Sequence, residues 1–312
     1  MSQKKTPVIV ILGPTGIGKS DLGIRLAELI GGEIISGDSM QVYRGMDIGT
    51  GKVTPREQEQ VVHHLIDIKN PDEEYSVADF CIEADQLIRQ ITERGKVPII
   101  VGGTGLYLQA LVEGYEFSSV PENKEFRSQL EERALDNSKE LYEELRKKDP
   151  EIAKEIEPEN VRRVIRALEN LEFGQSLSRK KAASHPYDHW IIGLTGPRDF
   201  MYDRINQRVD LMIKSGWAEE CADLIGKSID FSKNALQAIG YKEIFECIKN
   251  NHVIDSMIIE KIKQRTRNFA KRQVTWFKRM DYIHWIEIDQ KTERSKILTD
   301  LVFYWENNYK KR

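Results

Sequence analysis

Apolar residues in the first third of the chain fall into short runs and longer periodic stretches that alternate along the sequence. Val8–Leu12, Glu33–Ser36 and Val97–Val101 are short and contain Val or Ile at their centres, which is typical of buried strands. Asp21–Ile30 and the stretch from Val77 to about Arg94 carry apolar residues at helical spacing instead. Strands that alternate with helices predict an α/β fold built on a parallel sheet.

A different pattern fills the middle of the chain. From about Tyr115 to Asp188 the apolar positions fit helical stripes, and His189–Leu194 then has the pattern of a strand again. A helical block between strands of one sheet is best explained as an insertion. The sequence therefore predicts a discontinuous core domain of residues 1–115 and 189–312, helical in its C-terminal part, and an all-helical insertion domain of residues 116–188.

The last third of the chain is predicted to be mainly helical. Helices are expected from Pro197 to near Gly216, over Glu219–Ile225 and Gln237–Asn250, from about Asp255 to Met280 and over Thr292–Asn307, with one strand over Tyr282–Ile288. The longest of these helices holds eight Lys or Arg residues and no acid between positions 261 and 279. Phe269, Trp276 and Phe277 lie in this basic run, and periodicity leaves open whether they are core residues or a stacking surface.

Composition narrows the function classes only slightly. A net charge of −3 over 312 residues argues against indiscriminate coating of nucleic acid, but it leaves room for a local basic face. No apolar run reaches the ~18 residues of a membrane span, and the N-terminus leads straight into the first strand, so we expect no signal peptide. Cys81, Cys221 and Cys247 are isolated, which favours neither disulfides nor a zinc site and fits a reducing cytoplasm.

The turn after the first strand carries the strongest chemical signal. Gly13-Pro14-Thr15-Gly16-Ile17-Gly18-Lys19-Ser20 fits the pattern G-x-x-x-x-G-K-[ST], with a predicted strand before it and a predicted helix after it. In such a phosphate loop the backbone N–H groups and the helix N-terminus bind phosphate oxygens, the lysine neutralises charge, and the serine hydroxyl can hold Mg²⁺. The pattern does not reveal which phosphate compound is bound.

Two further loops are predicted to lie beside the phosphate loop. Asp38 follows the second strand, where ligands bind in α/β sheets, although it would also suit the N-cap of a short helix. The strand over Val97–Val101 ends in Gly102-Gly103-Thr104, where a typical P-loop ATPase carries an Asp that helps to hold Mg²⁺.

These residues leave three functions open. A kinase for a nucleoside or small acid is one, and a transferase whose leaving group is a diphosphate is another. The third is a nucleotide-dependent RNA-binding protein, although the guanine-reading motif N-K-x-D is missing from the sequence.

Six sequence blocks, in the same order, resemble the signature of the tRNA dimethylallyltransferase family, also called the tRNA isopentenyltransferase or IPP transferase family. They are Gly13–Ser20, Asp38–Tyr43, Gly45–Thr50, His63–Asp67, Gly102–Tyr107 and Lys271–Phe277. The phosphate loop is shared widely, but the series is specific and spans most of the chain. The zinc-finger extension of some eukaryotic members has no counterpart, which suits a bacterial-type enzyme.

The resemblance implies a P-loop NTPase-like core that transfers a dimethylallyl group from dimethylallyl diphosphate to tRNA. The acceptor would be the exocyclic amine of the adenine next to the anticodon, on its 3′ side. By similarity, Asp38 is the general base, Thr104 lines the reaction channel, and Lys19 with the rest of the phosphate loop holds the leaving diphosphate. The implied cofactor is Mg²⁺ on Ser20.

The resemblance also implies a set of tRNA-contacting positions. They are Asp38, Ser39, Met40, Gln41, Thr104, Arg127, Arg162, Arg163, Val164, Ile165, Arg166, Gln237, Ala238, Ile239, Gly240, Tyr241 and Lys242. Those in the insertion would grip the anticodon stem-loop, although a solvated helix face is the commoner role for any single Arg. The target base must leave its stack to react.

The remaining expectations concern a possible lid and the partners. One hypothesis is that Arg204 and Arg208 close over the diphosphate as a kinase lid does, and it rests on their position alone. The expected protein is a cytoplasmic monomer with tRNA and dimethylallyl diphosphate as its substrates and no membrane partner.

Overall fold

The computed structural model describes residues 5–117, 120, 122–174 and 187–310. Within the chain, contacts concentrate in two units. One, which we call the core unit, comprises Met1–Val112 and His185–Arg312, and the other, the helical unit, comprises Glu113–Ser184.

A parallel sheet organises the core unit. Its strands in the described residues are β1 (Thr6–Leu12), β2 (Gly32–Gly37), β3 (His63–His64), β4 (Val97–Gly102), β5 (Tyr187–Thr195) and β6 (His284–Glu287). Their order across the sheet is β3-β2-β4-β1-β5-β6, and all neighbours are parallel. This confirms the predicted parallel α/β core. The loops after β1, β2 and β4 therefore start at one edge of the sheet.

Helices account for most of the remaining described residues. In chain order they are α1 (Lys19–Ile30), α2 (Pro55–Gln60), α3 (Val77–Glu93), α4 (Gly105–Glu113), α5 (Lys124–Lys148), α6 (Pro150–Lys154), α7 (Val161–Glu172), α8 (Arg198–Lys214), α9 (Trp217–Gly226), α10 (Tyr241–Lys249), α11 (Ser256–Phe277) and α12 (Arg294–Trp305). The start of α3 has a physical cause in the sequence, because Ser76 and Asp79 form a reciprocal capping box. No helix of the described residues is long and apolar enough to cross a membrane.

The central strands are buried on both faces, because successive side chains of a strand point to opposite sides. Val8 and Val10 of β1 belong to the cluster that contains Phe80 of α3, whereas Ile9 and Ile11 belong to the cluster that contains Leu26 of α1. Full burial stabilises each such side chain by about 1.5–3 kcal/mol. The phosphate loop therefore starts from a strand that packing fixes on both sides.

The helical unit has its own apolar cluster. Leu141 and Leu145 of α5 pack in this cluster with Ala167 and Leu168 of α7, and none of the four exceeds 1% exposure. Next to them, the carboxylate side chain of Glu169 is also fully buried. A buried acid requires partners, and for Glu169 these are Arg127 and Arg166.

One local prediction was wrong in its boundary. The helix expected over Gln237–Asn250 begins only at Tyr241, because Ala235–Gln237 is a 3₁₀ turn and Gly240 has a φ of 91°, a left-handed value that no α-helix contains. The two-residue β3 ends at His64, and the next residue, Leu65, has a φ of 60°, a value that Leu rarely adopts.

The structure also answers the question about the aromatic residues of α11. Phe277 is fully buried, whereas Trp276 is 36% exposed, and Phe269 lies between these extremes. Phe277 is therefore a core residue, and Trp276 is available to a ligand. Cys81 is half-buried at the edge of the core.

Candidate active site

The phosphate loop joins β1 to α1, as the sequence predicts. Gly16 and Gly18 adopt φ values of 80° and 107°, in the left-handed region that glycine enters without steric cost. The Nζ of Lys19 donates to the carbonyl of Pro14 at 2.9 Å, so its ammonium lies back across the loop. The hydroxyl of Ser20 lies in the first turn of α1, where the unpaired N–H groups favour an anion.

The charge of Lys19 is held in a demanding environment. Burial lowers its pKa to about 8, with Asp38 opposing the change and Arg208 adding to it. The Asp38 carboxylate and the Arg208 guanidinium are thus near enough to act on Lys19 electrostatically. Lys19, Asp38 and Arg208 therefore lie close to one another.

The loops after β2 and β4 are fastened to each other through their backbones. Gly37 and Gly102 are register partners, and a Cβ on Gly102 would stand 2.2 Å from the carbonyl oxygen of Gly37. Thr104 N donates to that same oxygen at 3.3 Å, and Ser39 N donates to the Thr104 hydroxyl at 3.0 Å. This network brings Asp38 and Thr104 side by side.

The role of Asp38 as a helix cap is excluded by the local structure. Its Oδ1 accepts from Met40 N at 2.9 Å, a turn formed two residues along the chain, and no helix begins in the segment that follows. Among the described residues Oδ2 receives no hydrogen bond. The turn fixes one oxygen and leaves the other for a proton donor in the pocket.

Three arginines approach the phosphate loop from the C-terminal helices. Nε of Arg204 donates to Gly16 O at 2.7 Å, and the Arg208 guanidinium lies against Gly51. The guanidinium of Arg294, at the start of α12, lies over Gly18, 3.2 Å from where a Cβ would stand. Arg294 was not among the predicted site residues, because nothing near it in the sequence resembles a binding motif.

Arg204 and Arg208 differ from ordinary surface charges. Burial lowers the pKa of Arg204, and repulsion from the positive charge of Arg294 lowers it further. Burial also lowers the pKa of Arg208. Neither Arg204 nor Arg208 forms an ion pair with a carboxylate of the described residues. An anion in the phosphate loop would supply the missing partner.

The segment after Asp38 is held by its own polar contacts. Gln41 accepts from the Ser36 hydroxyl at 3.2 Å and donates to Gly51 O at 3.3 Å. The buried ammonium of Lys52 binds Asp47 and Asp67, each at 2.5 Å. The side chain of Gln41, a predicted tRNA-contacting residue, thus forms hydrogen bonds within its own segment.

A single carboxylate joins this segment to the predicted tRNA-contacting segment around α10. Glu220 accepts from Asp47 N at 2.9 Å and Ile48 N at 2.7 Å, and its other oxygen accepts from the Tyr241 hydroxyl at 2.6 Å. Among the candidates here, Gln237 and Lys242 are exposed and Ala238 and Tyr241 are buried, with Ile239 and Gly240 between them in sequence.

In the helical unit two candidate arginines bind one buried acid. Arg127 donates to both oxygens of Glu169, and Arg166 donates to the same carboxylate at 2.5 Å and to Val120 O at 3.0 Å. Burial alone would raise the pKa of Glu169, but these hydrogen bonds outweigh it and the pKa is lowered.

The neighbouring candidates on α7 differ from these two in exposure. Val164 and Ile165 are buried in the cluster of the helical unit. Arg162 is exposed to solvent, and Arg163 is half-buried. Arg162 is therefore the candidate on this helix with the most accessible side chain.

Two residues of the Lys271–Phe277 block enter the site from α11. Gln273 is only 6% exposed and binds both the phosphate loop and the loop after β4. Trp276 packs over Gly105, with its Cδ1 2.7 Å from where a Cβ would stand. The sequence marked this block as part of a family signature, but periodicity did not show which side chains reach the pocket.

Comparison with known proteins identifies relatives along nearly the whole chain. The sequence model of IPP transferase matches residues 41–280. A protein called tRNA dimethylallyltransferase from a Thermoanaerobacter species is 45% identical over 305 residues, which cover 95% of this chain and 96% of the relative. One of the same name from Geobacillus thermodenitrificans is 48% identical over 286 residues and covers 90% of each chain.

Solved structures agree with these relatives. The tRNA isopentenylpyrophosphate transferase of Bacillus halodurans superposes with a TM-score of 0.72 at 41% identity, covering 98% of this chain and 99% of that one. A eukaryotic dimethylallyltransferase acting on tRNA superposes with a TM-score of 0.75 at 32% identity, covering 98% and 77%. With its phosphate loop, its paired loops after β2 and β4, and this similarity over nearly its full length, the chain belongs to the IPP transferase family.

Proposed function

We propose that this transferase moves the dimethylallyl group of dimethylallyl diphosphate onto the exocyclic amine of the adenine on the 3′ side of the anticodon in tRNA. The observation that carries the proposal is the position of Asp38, which lies beside Thr104 and acts electrostatically on Lys19 of the phosphate loop. A base and an anion cradle thus share one pocket. Family membership supports prenyl transfer rather than the kinase alternative.

The phosphate loop would hold the diphosphate, which becomes the leaving group. As the bond between the allylic carbon and the phosphate oxygen breaks, negative charge grows on the diphosphate. Lys19, the N–H groups at the start of α1 and the guanidinium groups of Arg204 and Arg208 are placed to stabilise that charge. This gives the two arginines of α8 a role in closing the anion site.

Asp38 would act as the general base. The adenine amine is a weak nucleophile because its lone pair is delocalised into the ring, so removal of its proton assists attack on the allylic carbon. Oδ1 is fixed by Met40 N, and Oδ2 receives no hydrogen bond from the described residues. Proton transfer to a positioned carboxylate typically contributes about 10²–10⁴-fold in rate. The Thr104 hydroxyl, anchored by Ser39, would contact the substrate at the same point.

The residues present fit Mg²⁺ as a partner of the diphosphate. Ser20 offers a hydroxyl oxygen at the phosphate loop, and no group of three or more His, Cys, Asp or Glu in the described residues forms a cage for a metal ion. Magnesium commonly binds through few protein oxygens together with substrate phosphates. When bound, the ion would neutralise charge on the departing diphosphate.

The tRNA would be bound by exposed members of the candidate set. Gln237 and Lys242 are accessible on the core unit, and Arg162 is accessible on the helical unit. Arg127 and Arg166 keep 24% and 30% of their side chains exposed while they bind Glu169, so part of each side chain stays accessible to RNA. We propose that the helical unit grips the anticodon stem-loop and that the enzyme works as a cytoplasmic monomer.

The direct experiment incubates the protein and Mg²⁺ with an anticodon stem-loop RNA and dimethylallyl diphosphate, and measures the mass of the RNA. A gain of one prenyl group is expected. Release of ADP from ATP, with the RNA unchanged, would favour the kinase instead.

The base is tested by Asp38→Ala. Transfer should fall at least about 100-fold, while inorganic diphosphate still binds. Asp72→Ala, an exposed acid in a loop of the same unit, is the matched control and should retain activity. Full activity of Asp38→Ala would refute the assigned base.

A further inference from the structure

The side chain of Gln273 spans two loops of the pocket. Its Oε1 accepts from Thr15 N of the phosphate loop at 2.9 Å, and its Nε2 donates to Gly103 O at 2.8 Å. Both ends of the carboxamide are therefore satisfied by backbone groups, and the side chain is 6% exposed. A buried amide with both ends paired has a well-defined position.

That position is beside the charge of the phosphate loop. The point where a Cβ on Gly103 would stand is 2.5 Å from Gln273 Nε2 and 3.6 Å from both Lys19 Nζ and Gly13 O. The carboxamide therefore lies beside the N-terminal half of the phosphate loop, near the ammonium of Lys19. In phosphate loops this lysine reaches the phosphates farthest from the nucleoside.

The hydrogen bond from Thr15 changes what the loop can offer to a ligand. A phosphate loop binds its ligand through successive backbone N–H groups. Here the N–H of Thr15, in the half of the loop remote from α1, is already bound by a protein side chain. The donors left to an anion are those nearer to α1, so the cradle is shorter than its sequence pattern indicates.

We propose that Gln273 is a specificity-determining residue that limits the cradle to two phosphates. Its carboxamide takes both the place and the N–H donor that a third phosphate would use. A triphosphate would have to break the bonds of Gln273 to Thr15 and Gly103 and would leave the Gly103 carbonyl facing an anion. This inference rests on the proposed function, in which the loop binds a diphosphate group.

The test compares inorganic diphosphate with inorganic triphosphate, each with Mg²⁺, by isothermal titration calorimetry on the full chain. The unaltered protein should bind diphosphate more tightly than triphosphate. In Gln273→Ala the ratio of the two affinities should move toward triphosphate by about tenfold, the value of one hydrogen bond to a charged group. Gln264→Ala, an exposed glutamine on the same helix, should keep the original ratio.

A second variant keeps the test decisive if Gln273→Ala folds poorly. Gln273→Glu retains an acceptor for Thr15 N, so it should weaken both anions through its charge without moving the ratio toward triphosphate. Equal binding of the two anions by the unaltered protein, or an unchanged ratio in folded Gln273→Ala, would overturn the inference. Failure of every variant to bind diphosphate would instead refute the proposed function.

Discussion

Arginines in the two units of the molecule meet opposite electrostatic conditions. In the core unit Arg204 and Arg208 are half-buried near the phosphate loop, without a carboxylate ion pair in the described residues, and burial lowers the pKa of each. In the helical unit Arg127 and Arg166 bind the buried Glu169, whose pKa is lowered by them against the effect of burial. Arginine thus lacks an ion-pair partner near the phosphate loop of the core unit and has one in the helical unit.

The difference separates binding from architecture. An arginine held close to an anion site without a partner destabilises the empty protein slightly and gains its partner from the ligand. An arginine paired with a buried acid stabilises the fold it belongs to, because loss of either member leaves a charge without compensation. We therefore expect substitutions in the two units to change different measurable quantities.

The largest effect is expected from Glu169→Ala, which removes the acid that two arginines share. The free energy of unfolding should fall by about 3 kcal/mol, because two guanidinium groups lose their carboxylate partner and a cavity is left in its place. Urea denaturation followed by circular dichroism measures this change. Glu172→Ala, an exposed acid on the same helix, is the control, and an equal loss in both variants would break the contrast.

The next effect concerns Arg208→Gln, which removes a buried charge that Asp38 compensates only in part. Affinity for inorganic diphosphate should fall roughly 10- to 100-fold, whereas the free energy of unfolding should be unchanged or higher. Calorimetry and urea denaturation measure the two quantities. Lys214→Gln, exposed on the same helix, should alter neither. Unchanged diphosphate affinity in Arg208→Gln would show that this arginine is not part of the anion site and would refute the lid hypothesis.

A pH titration sharpens the same contrast through Lys19. Its pKa is lowered to about 8, so the ammonium is intact below that pH and is lost above it. Diphosphate affinity should therefore be constant below pH 8 and fall by up to about tenfold per pH unit above it. Lys19→Arg should bind without this decline, because arginine stays charged. A flat profile to pH 10 in the unaltered protein would contradict the assigned charge.

The stability of the empty protein should change with pH in the opposite direction. Lys19 has a pKa of 10.5 when unperturbed and about 8 in the fold, so between these values the unfolded chain binds more protons. Its contribution to folding therefore becomes more favourable as the pH rises through that window. Lys19→Arg lacks this titration and provides the comparison.

The smallest effect is expected from Arg162→Ala, an exposed residue without the buried acid of its neighbours. Affinity for the stem-loop RNA should fall about threefold, and the slope of log affinity against log salt should decrease by about 0.7–0.9. Lys139→Ala, exposed on α5, is the control for general charge. An unchanged salt slope would remove Arg162 from the RNA surface.

The parallel core and the chemistry of the phosphate loop were predictable because both depend on local sequence. The run Val8–Leu12, the glycine loop and the helix after it are contiguous, so their order alone defines the motif. The location of Asp38 near the phosphate loop was predictable for a related reason, since the end of a parallel strand marks the ligand-binding edge.

The remaining features depend on residues far apart in the chain. Gln273 meets Thr15 across 258 positions, and no local pattern distinguishes it from the exposed Gln264 on the same helix. Arg127 and Arg208 are likewise indistinguishable in sequence. Only the tertiary structure shows that Arg127 forms an ion pair with Glu169, whereas Arg208 forms no ion pair in the described residues. The left-handed backbone at Gly240 delays the start of a predicted helix, and Trp217, a residue distant in sequence, leaves no room for a side chain there.

Trp276 gives the site an optical property of its own. Its indole rests over Gly105, next in the chain to Thr104, and keeps 36% of its surface open to solvent. The emission of an indole shifts in wavelength and intensity when water leaves its surroundings. Occupation of the pocket is therefore expected to change the part of the intrinsic fluorescence that Trp276 contributes.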